Sequence, residues 1–183
     1  MGPIEQRLMD LGQLGDPRAR PMEQTEIPPL VEALRARFGT AASGLDLSAE
    51  SLLRLETQLV RSAEGEPFSS RPDVLVLVRE LVAYIGQVLA LQAQGRWEFG
   101  PNLWATYIVY DRTVQGIKGR ETRTYLSAAD IIGNLAASSL DAIDAGVAPQ
   151  LPAAYIRATA TVVRERLSSR KRPSSATRSR LRR

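Results

Sequence analysis

Apolar residues fall at helical spacing in two blocks of the chain, separated by a stretch in which they alternate. Ile4, Leu8 and Leu11 predict a short first helix docked on the body, and Gly12, Gly15, Pro17 and Pro21 mark a linker after it. In "TEIPPLVEALRARFG", Pro28 and Pro29 suit a first helical turn. Leu30, Leu34 and Phe38 share one face there, and Gly39 supplies the stop. "DLSAESLLRLETQLVR" predicts a helix with Ser48 as N-cap and Leu52, Leu55 and Leu59 on one stripe beside Leu53 and Val60. After the loop "AEGEPFSSRPD", the run "VLVLVRELVAYIGQVLALQAQ" is apolar around most of its circumference, which predicts a central helix packed on more than one side.

Beyond Gly95 the period shortens. "RWEF", a "GPN" turn and "LWATYIVY" predict a β-hairpin, and "RTVQGIKGRETRTYL" a second strand pair around Lys118 and Gly119. Leu103, Ala105, Tyr107 and Val109 are expected on one face, with Trp104, Thr106, Ile108 and Tyr110 on the other. From Ser127 to Asp130 the pattern resembles a capping box, opening a helix through Ile131, Ile132, Leu135, Leu140 and Ile143 that Gly146 ends. A last helix is expected around Tyr155, Ile156, Thr159, Val163 and Leu167. This order of elements predicts an α+β fold, mainly helical, with helices flanking a small antiparallel sheet of about four strands. Residues 1–26 read as an N-terminal helix and linker, 27–168 as a single α+β domain, and 169–183 as a basic tail without apolar periodicity, expected to be disordered.

Composition narrows the chemistry. The 183 residues include no cysteine and no histidine, which removes thiol nucleophiles, imidazole bases and zinc sites of the usual kind. "GIKGRE" lacks the glycine spacing and the succeeding helix of a phosphate-binding loop. No cofactor and no metal is expected. The opening residues lack an uninterrupted apolar stretch of the signal-peptide type, and Arg79, Glu80 and Gln87 interrupt the run from Val74 to Leu91. The expectation is a cytoplasmic protein without a transmembrane segment. Charge is unevenly spread. Arg170, Lys171, Arg172, Arg178, Arg180, Arg182 and Arg183 give the tail +7, so the net +4 of the whole leaves −3 on the rest. Such a tail attracts polyanions in a salt-dependent way.

Three groups of residues are candidates for a site. Gly86 lies inside a helix, where glycine costs about 1 kcal/mol against alanine, so it is expected to admit a close approach by another element. Tyr84, Gln87 and Trp97 would line a polar pocket beside it, with Trp104 and Tyr110 on the hairpin. Arg112, Lys118, Arg120 and Arg123 form a basic cluster suited to an acidic partner or a phosphate. Glu98, Asp111 and Glu121 are the acids nearest the strands, without the spacing of a metal loop or a glycosidase pair. "YIGQVL", then "GRWEF", then V-x-G-x-x-G-R in the hairpin resembles small uncharacterised bacterial α+β domains in which a Tyr-x-Gly-Glu helix leads into a Gly-x-Trp strand. The resemblance spans about residues 45–127, has Gln87 in place of the glutamate, and implies a fold but no activity; some similar small proteins accompany toxin and immunity genes. The functional expectation is a non-enzymatic, immunity-like or regulatory protein that binds a protein partner through the end of the central helix and the hairpin. The alternative is a nucleic-acid-binding accessory protein using the arginine-rich tail.

Overall fold

The computed structural model describes residues 1–92, 95–110, 113–115, 121–123, 130–149 and 151. Pro3–Gln13 forms α1, which buries Ile4 and Leu8 as their spacing predicts. Its N-terminus is capped from afar: the Asp141 carboxylate accepts the Ile4 and Glu5 N–H groups, both at 2.9 Å. A side chain at Gly2 would overlap Asp141, so glycine permits that approach. The stretch after α1 also enters the core, since Ala19 and Met22 are buried and Leu103 N–H donates to the Ala19 carbonyl at 2.9 Å.

α2 is Ile27–Phe38 and buries Ile27, Val31 and Leu34. Leu30 and Phe38, expected on the buried face, are only partly covered, so the inner face is rotated towards Ile27 and Val31. Gly39 ends the helix at φ 54, a left-handed backbone that glycine adopts without strain. α3 is Ala49–Ala63; Ser48 caps it by accepting the Ser51 N–H at 3.2 Å, and Leu52, Leu55 and Leu59 are fully buried. Leu53 and Val60 lie on its exposed side.

α4, Val74–Gln92, is the central element and packs against α2, α3, α5 and the first two strands. By length and composition it would also suit a bilayer span, and most of it is buried inside this protein. Its one buried charge, Glu80, is met by Arg37 of α2 through Nε at 2.7 Å and a second nitrogen at 3.1 Å.

The fold is mainly helical with a small antiparallel sheet, but the strands divide instead of forming one four-stranded sheet. β1 (Gly95–Phe99), β2 (Thr106–Tyr110) and β5 (Asp130–Ile131) form a three-stranded sheet in the order β1-β2-β5. β3 (Thr113–Gln115) and β4 (Glu121–Arg123) pair separately, with Thr113 opposite Arg123. Trp97 pairs with Ile108 in the β1–β2 register. β2 starts at Thr106, later than expected, because Asn102 folds the preceding residues into a turn, with its Oδ1 accepting the Ala105 N–H at 3.1 Å.

The last described helix is α5, Ile132–Asp144. It begins after Asp130 and Ile131, which pair with Ile108 and Tyr107 instead of joining the helix as their sequence suggested. Gly146 ends the segment at φ 69. One turn along α5 from Asp141, the Asp144 carboxylate accepts the Phe68 and Ser69 N–H groups at 2.7 and 2.8 Å. α5 thus holds two chain segments by their unsatisfied amides. The expected final helix and the tail lie outside the described residues.

Candidate functional site

Gly86 does admit a close approach. The Trp97 indole lies on it so tightly that a Cβ at position 86 would overlap the ring. Strand alternation puts Trp97 and Phe99 on this inner face, where their rings stack with centroids 5.7 Å apart and planes 6° from parallel. Arg96 and Glu98 take the outer face and pair at 2.7 Å.

Trp97 also fixes its neighbour. Its Nε1–H donates to Gln87 Oε1 at 3.3 Å. An indole nitrogen only donates, so the carbonyl end of the Gln87 amide must face it and the NH2 end is directed away. Among the described residues Gln87 Nε2 has no protein partner. Gln87 at the same time lines a groove of about 380 Å³ between α2 and α4, formed with Gln24, Ile27, Pro28, Pro29, Val31, Glu32, Arg35 and Leu47. The walls are largely aliphatic. The two opposite charges neutralise each other, with Arg35 donating to Glu32 at 2.6 Å. The Arg35 Nε also donates to the Leu45 carbonyl at 2.7 Å, which fixes the guanidinium against the backbone leading to Leu47.

Leu47 is the non-glycine residue with a positive φ among the described residues, at 65°. For a γ-branched residue this conformation costs on the order of 1–2 kcal/mol and persists only where surrounding bonds enforce it. Here they do. The Leu47 N–H donates to the Tyr84 hydroxyl at 3.3 Å, that hydroxyl donates to Ser51 Oγ at 2.6 Å, and Ser51 donates to the Ser48 carbonyl at 2.6 Å. Each hydroxyl accepts once and donates once, so the relay is closed and its members polarise one another. On the other side of the residue, Gln92 Nε2 donates to the Leu47 carbonyl at 3.1 Å. Burial pushes the Tyr84 phenol above its ordinary pKa against the opposing effect of its bonds with Ser51 and Leu47, so the hydroxyl stays protonated and the relay intact across the neutral range.

Ion pairs join the ends of the α2 segment to the first half of α4. Arg37 bridges Glu80 and Asp73, the latter at 2.7 Å, while Glu26 accepts from Arg79 at 3.0 Å and from Arg20. Burial raises the Glu26 carboxyl, but the Arg20 and Glu23 N–H bonds and the Arg79 charge outweigh it and leave it below the usual glutamate value. Asp73 is likewise lowered, chiefly by its bond from Arg37.

The expected site residues are thus partly brought together. Gln87 and Trp97 meet. Tyr84 is fully buried, because its ring faces α3 and its hydroxyl is consumed by the relay; it offers no surface to a partner and acts on the groove only by fixing Leu47. Trp104 is half-buried, with its backbone against Gly133 of α5, where a Cβ would not fit. Tyr110 closes β2 opposite Gly95, and Arg123 lies in β4. Arg112, Lys118 and Arg120 lie outside the described residues, as do Asp111 and the tail residues Arg170, Lys171, Arg172, Arg178, Arg180, Arg182 and Arg183. Glu98 is exposed and paired with Arg96, and Glu121 lies in β4 opposite Gln115. Among the described residues no three acids converge in a way that would hold a metal ion. The groove itself was not expected. Its sequence signals are the Pro28-Pro29 pair and a leucine next to an N-cap serine, and neither is diagnostic.

Comparison with protein families, curated proteins and solved structures finds no match. The resemblance of residues 45–127 to small bacterial domains therefore rests on its short motifs alone.

Proposed function

We propose that the chain is a non-enzymatic cytoplasmic binding protein that recognises a protein partner through the β1–β2 hairpin and the adjoining end of α4. The observation that carries this reading is the placement of β1. It stands at the edge of the three-stranded sheet, and it is anchored from within by the Trp97–Phe99 stack while Arg96 and Glu98 face outward. An edge strand held rigid in this way is suited to pairing with an extended segment of another chain, since main-chain hydrogen bonds supply affinity. The aromatic residues act as supports for the strand, and the contact surface is its edge away from β2.

The test is capture from a lysate of the source organism with a photo-crosslinking residue at Glu98 on one bait and at Leu14, an exposed position on α1's C-terminal flank, on another. Both are nuclease-treated, and the full chain is compared with one ending at Ser169. A protein crosslinked from position 98, not from 14, with both chain lengths, supports the reading. Recovery that requires residues 170–183 and disappears with nuclease or added salt overturns it in favour of nucleic-acid binding by the tail, whose +7 charge motivates that alternative.

A further inference from the structure

We propose that the α2–α4 groove is a binding site for an uncharged, largely aliphatic small molecule carrying a carbonyl-type acceptor, which takes a hydrogen bond from Gln87 Nε2. The inference goes beyond partner recognition at β1 and concerns a different surface.

Size is the first argument. About 380 Å³ lies within the range of small-molecule sites. Charge is the second. Glu32 and Arg35 satisfy each other at 2.6 Å, so a charged ligand would find no free counter-charge on the lining, whereas Ile27, Pro28, Pro29, Val31 and Leu47 offer apolar contact. The third is the oriented amide. Trp97 fixes Gln87 so that two N–H donors point away from the indole, and a donor pair can be met by a carbonyl oxygen but not by another donor.

Leu47 supplies an independent observation. Its left-handed backbone is strained, yet it is enforced at both its N–H and its carbonyl by Tyr84 and Gln92, and the residue lines the groove. A geometry kept at that cost has a shape to preserve, and the lining it defines is the groove wall. Because the same amide that meets the ligand is bonded to Trp97, occupancy would be read out at the β1 indole. The Gln87–Trp97 bond of 3.3 Å is long, with room to shorten when the amide is polarised by a second partner.

The probe is N,N-dimethyloctanamide, which accepts but cannot donate, with octanoate as the charged counterpart of equal chain length. Titration into the full chain is followed by the side-chain amide signals of Gln87 and the indole N–H signals of Trp97 and Trp104 in nitrogen–proton correlation spectra. The expected result is a saturable shift of Gln87 and Trp97 but not Trp104, with octanoate binding at least about tenfold more weakly. Gln87→Leu should weaken the amide about tenfold, read from the remaining backbone shifts of α2, and Val31→Phe, which fills the groove, should abolish it. Absence of a saturable shift at millimolar probe overturns the proposal, as does affinity unchanged in both variants. A response to an apolar peptide but not to the amide also overturns it, in favour of a partner's side chain as the occupant.

Discussion

On its β1 side α4 is filled to contact, with the Trp97 ring lying on Gly86; on its α2 side the same helix borders a groove of about 380 Å³. The first contact is made by removing a side chain where a large ring must fit, and it leaves nothing free to bind. The second is lined by two prolines and a strained leucine, and it leaves the NH2 end of Gln87 without a protein partner among the described residues. Tight packing here marks structure, whereas costly openness marks the candidate site. Because Gln87 belongs to both sides, the two are mechanically joined through one residue.

Removing a clamp should have the largest effect. Arg37→Ala would leave Glu80 buried on α4 without its two bonds, and breaking such a pair from one side costs on the order of 3 kcal/mol, the low end because Arg37 itself is partly exposed. Urea unfolding should show that loss. Arg18→Ala, which removes an exposed pair with Asp16, should change stability little. If the two variants behave alike, the ion pairs do not hold α2 and the groove is an accident of packing.

The β1 side is broken by Gly86→Ala. The added methyl overlaps the indole, so Trp97 must leave its seat, and the lost burial outweighs the roughly 1 kcal/mol gained in helix propensity for a net cost of about 2 kcal/mol. Tryptophan emission should shift to the red as the ring enters solvent. Unchanged emission would mean that the helix moves instead of the ring, and the filled side would be the adaptable one.

Much of the tight side was legible in advance. A glycine inside an apolar helix, followed by a Gly-x-Trp strand, predicts close approach, and Ser48, Gly39 and Gly146 mark helix ends where they occur. These signals are local, because the residue that pays the conformational cost also sits at the feature. The open side was not legible. Leu47 adopts a conformation its own type disfavours, because Tyr84, distant by 37 positions, and Gln92, distant by 45, impose it. Asp141 and Asp144 look like ordinary helix surface and instead cap segments 137 and 76 positions away. Asp130 and Ile131 carry a helix-start pattern, and pairing with β2 overrides it. Tyr84 shares with Gln87 the spacing of one helix face, yet its ring serves α3.

Tyr84→Phe sharpens the comparison from the open side. It removes the acceptor for the Leu47 N–H and the donor to Ser51 without changing the ring, at a cost of about 1 kcal/mol. The amide of Leu47 should then exchange with solvent faster, while Trp97 emission stays as in the parent chain. If Trp97 responds as well, the two sides are coupled through the body of α4 and not through Gln87 alone.

The smallest effect comes from acid, and it should separate the two sides without any substitution. Glu26 and Asp73, which receive α4-side and α2-side arginines in the clamps, have folded pKa values below their ordinary values of 4.5 and 3.8. A depressed folded pKa contributes stability that is present above the unfolded value and is lost as pH falls through the folded one. The clamps should therefore hold above the ordinary carboxylate values and weaken as pH falls below them. The contact between Gly86 and Trp97 involves no titrating group. Hydrogen exchange measured from pH 5 downwards, after correction for the intrinsic rate, should show α2 losing protection before the segment of α4 around Gly86. Loss of both together would mean that the groove side and the filled side open as one unit, and that the clamps do not set the groove's width independently.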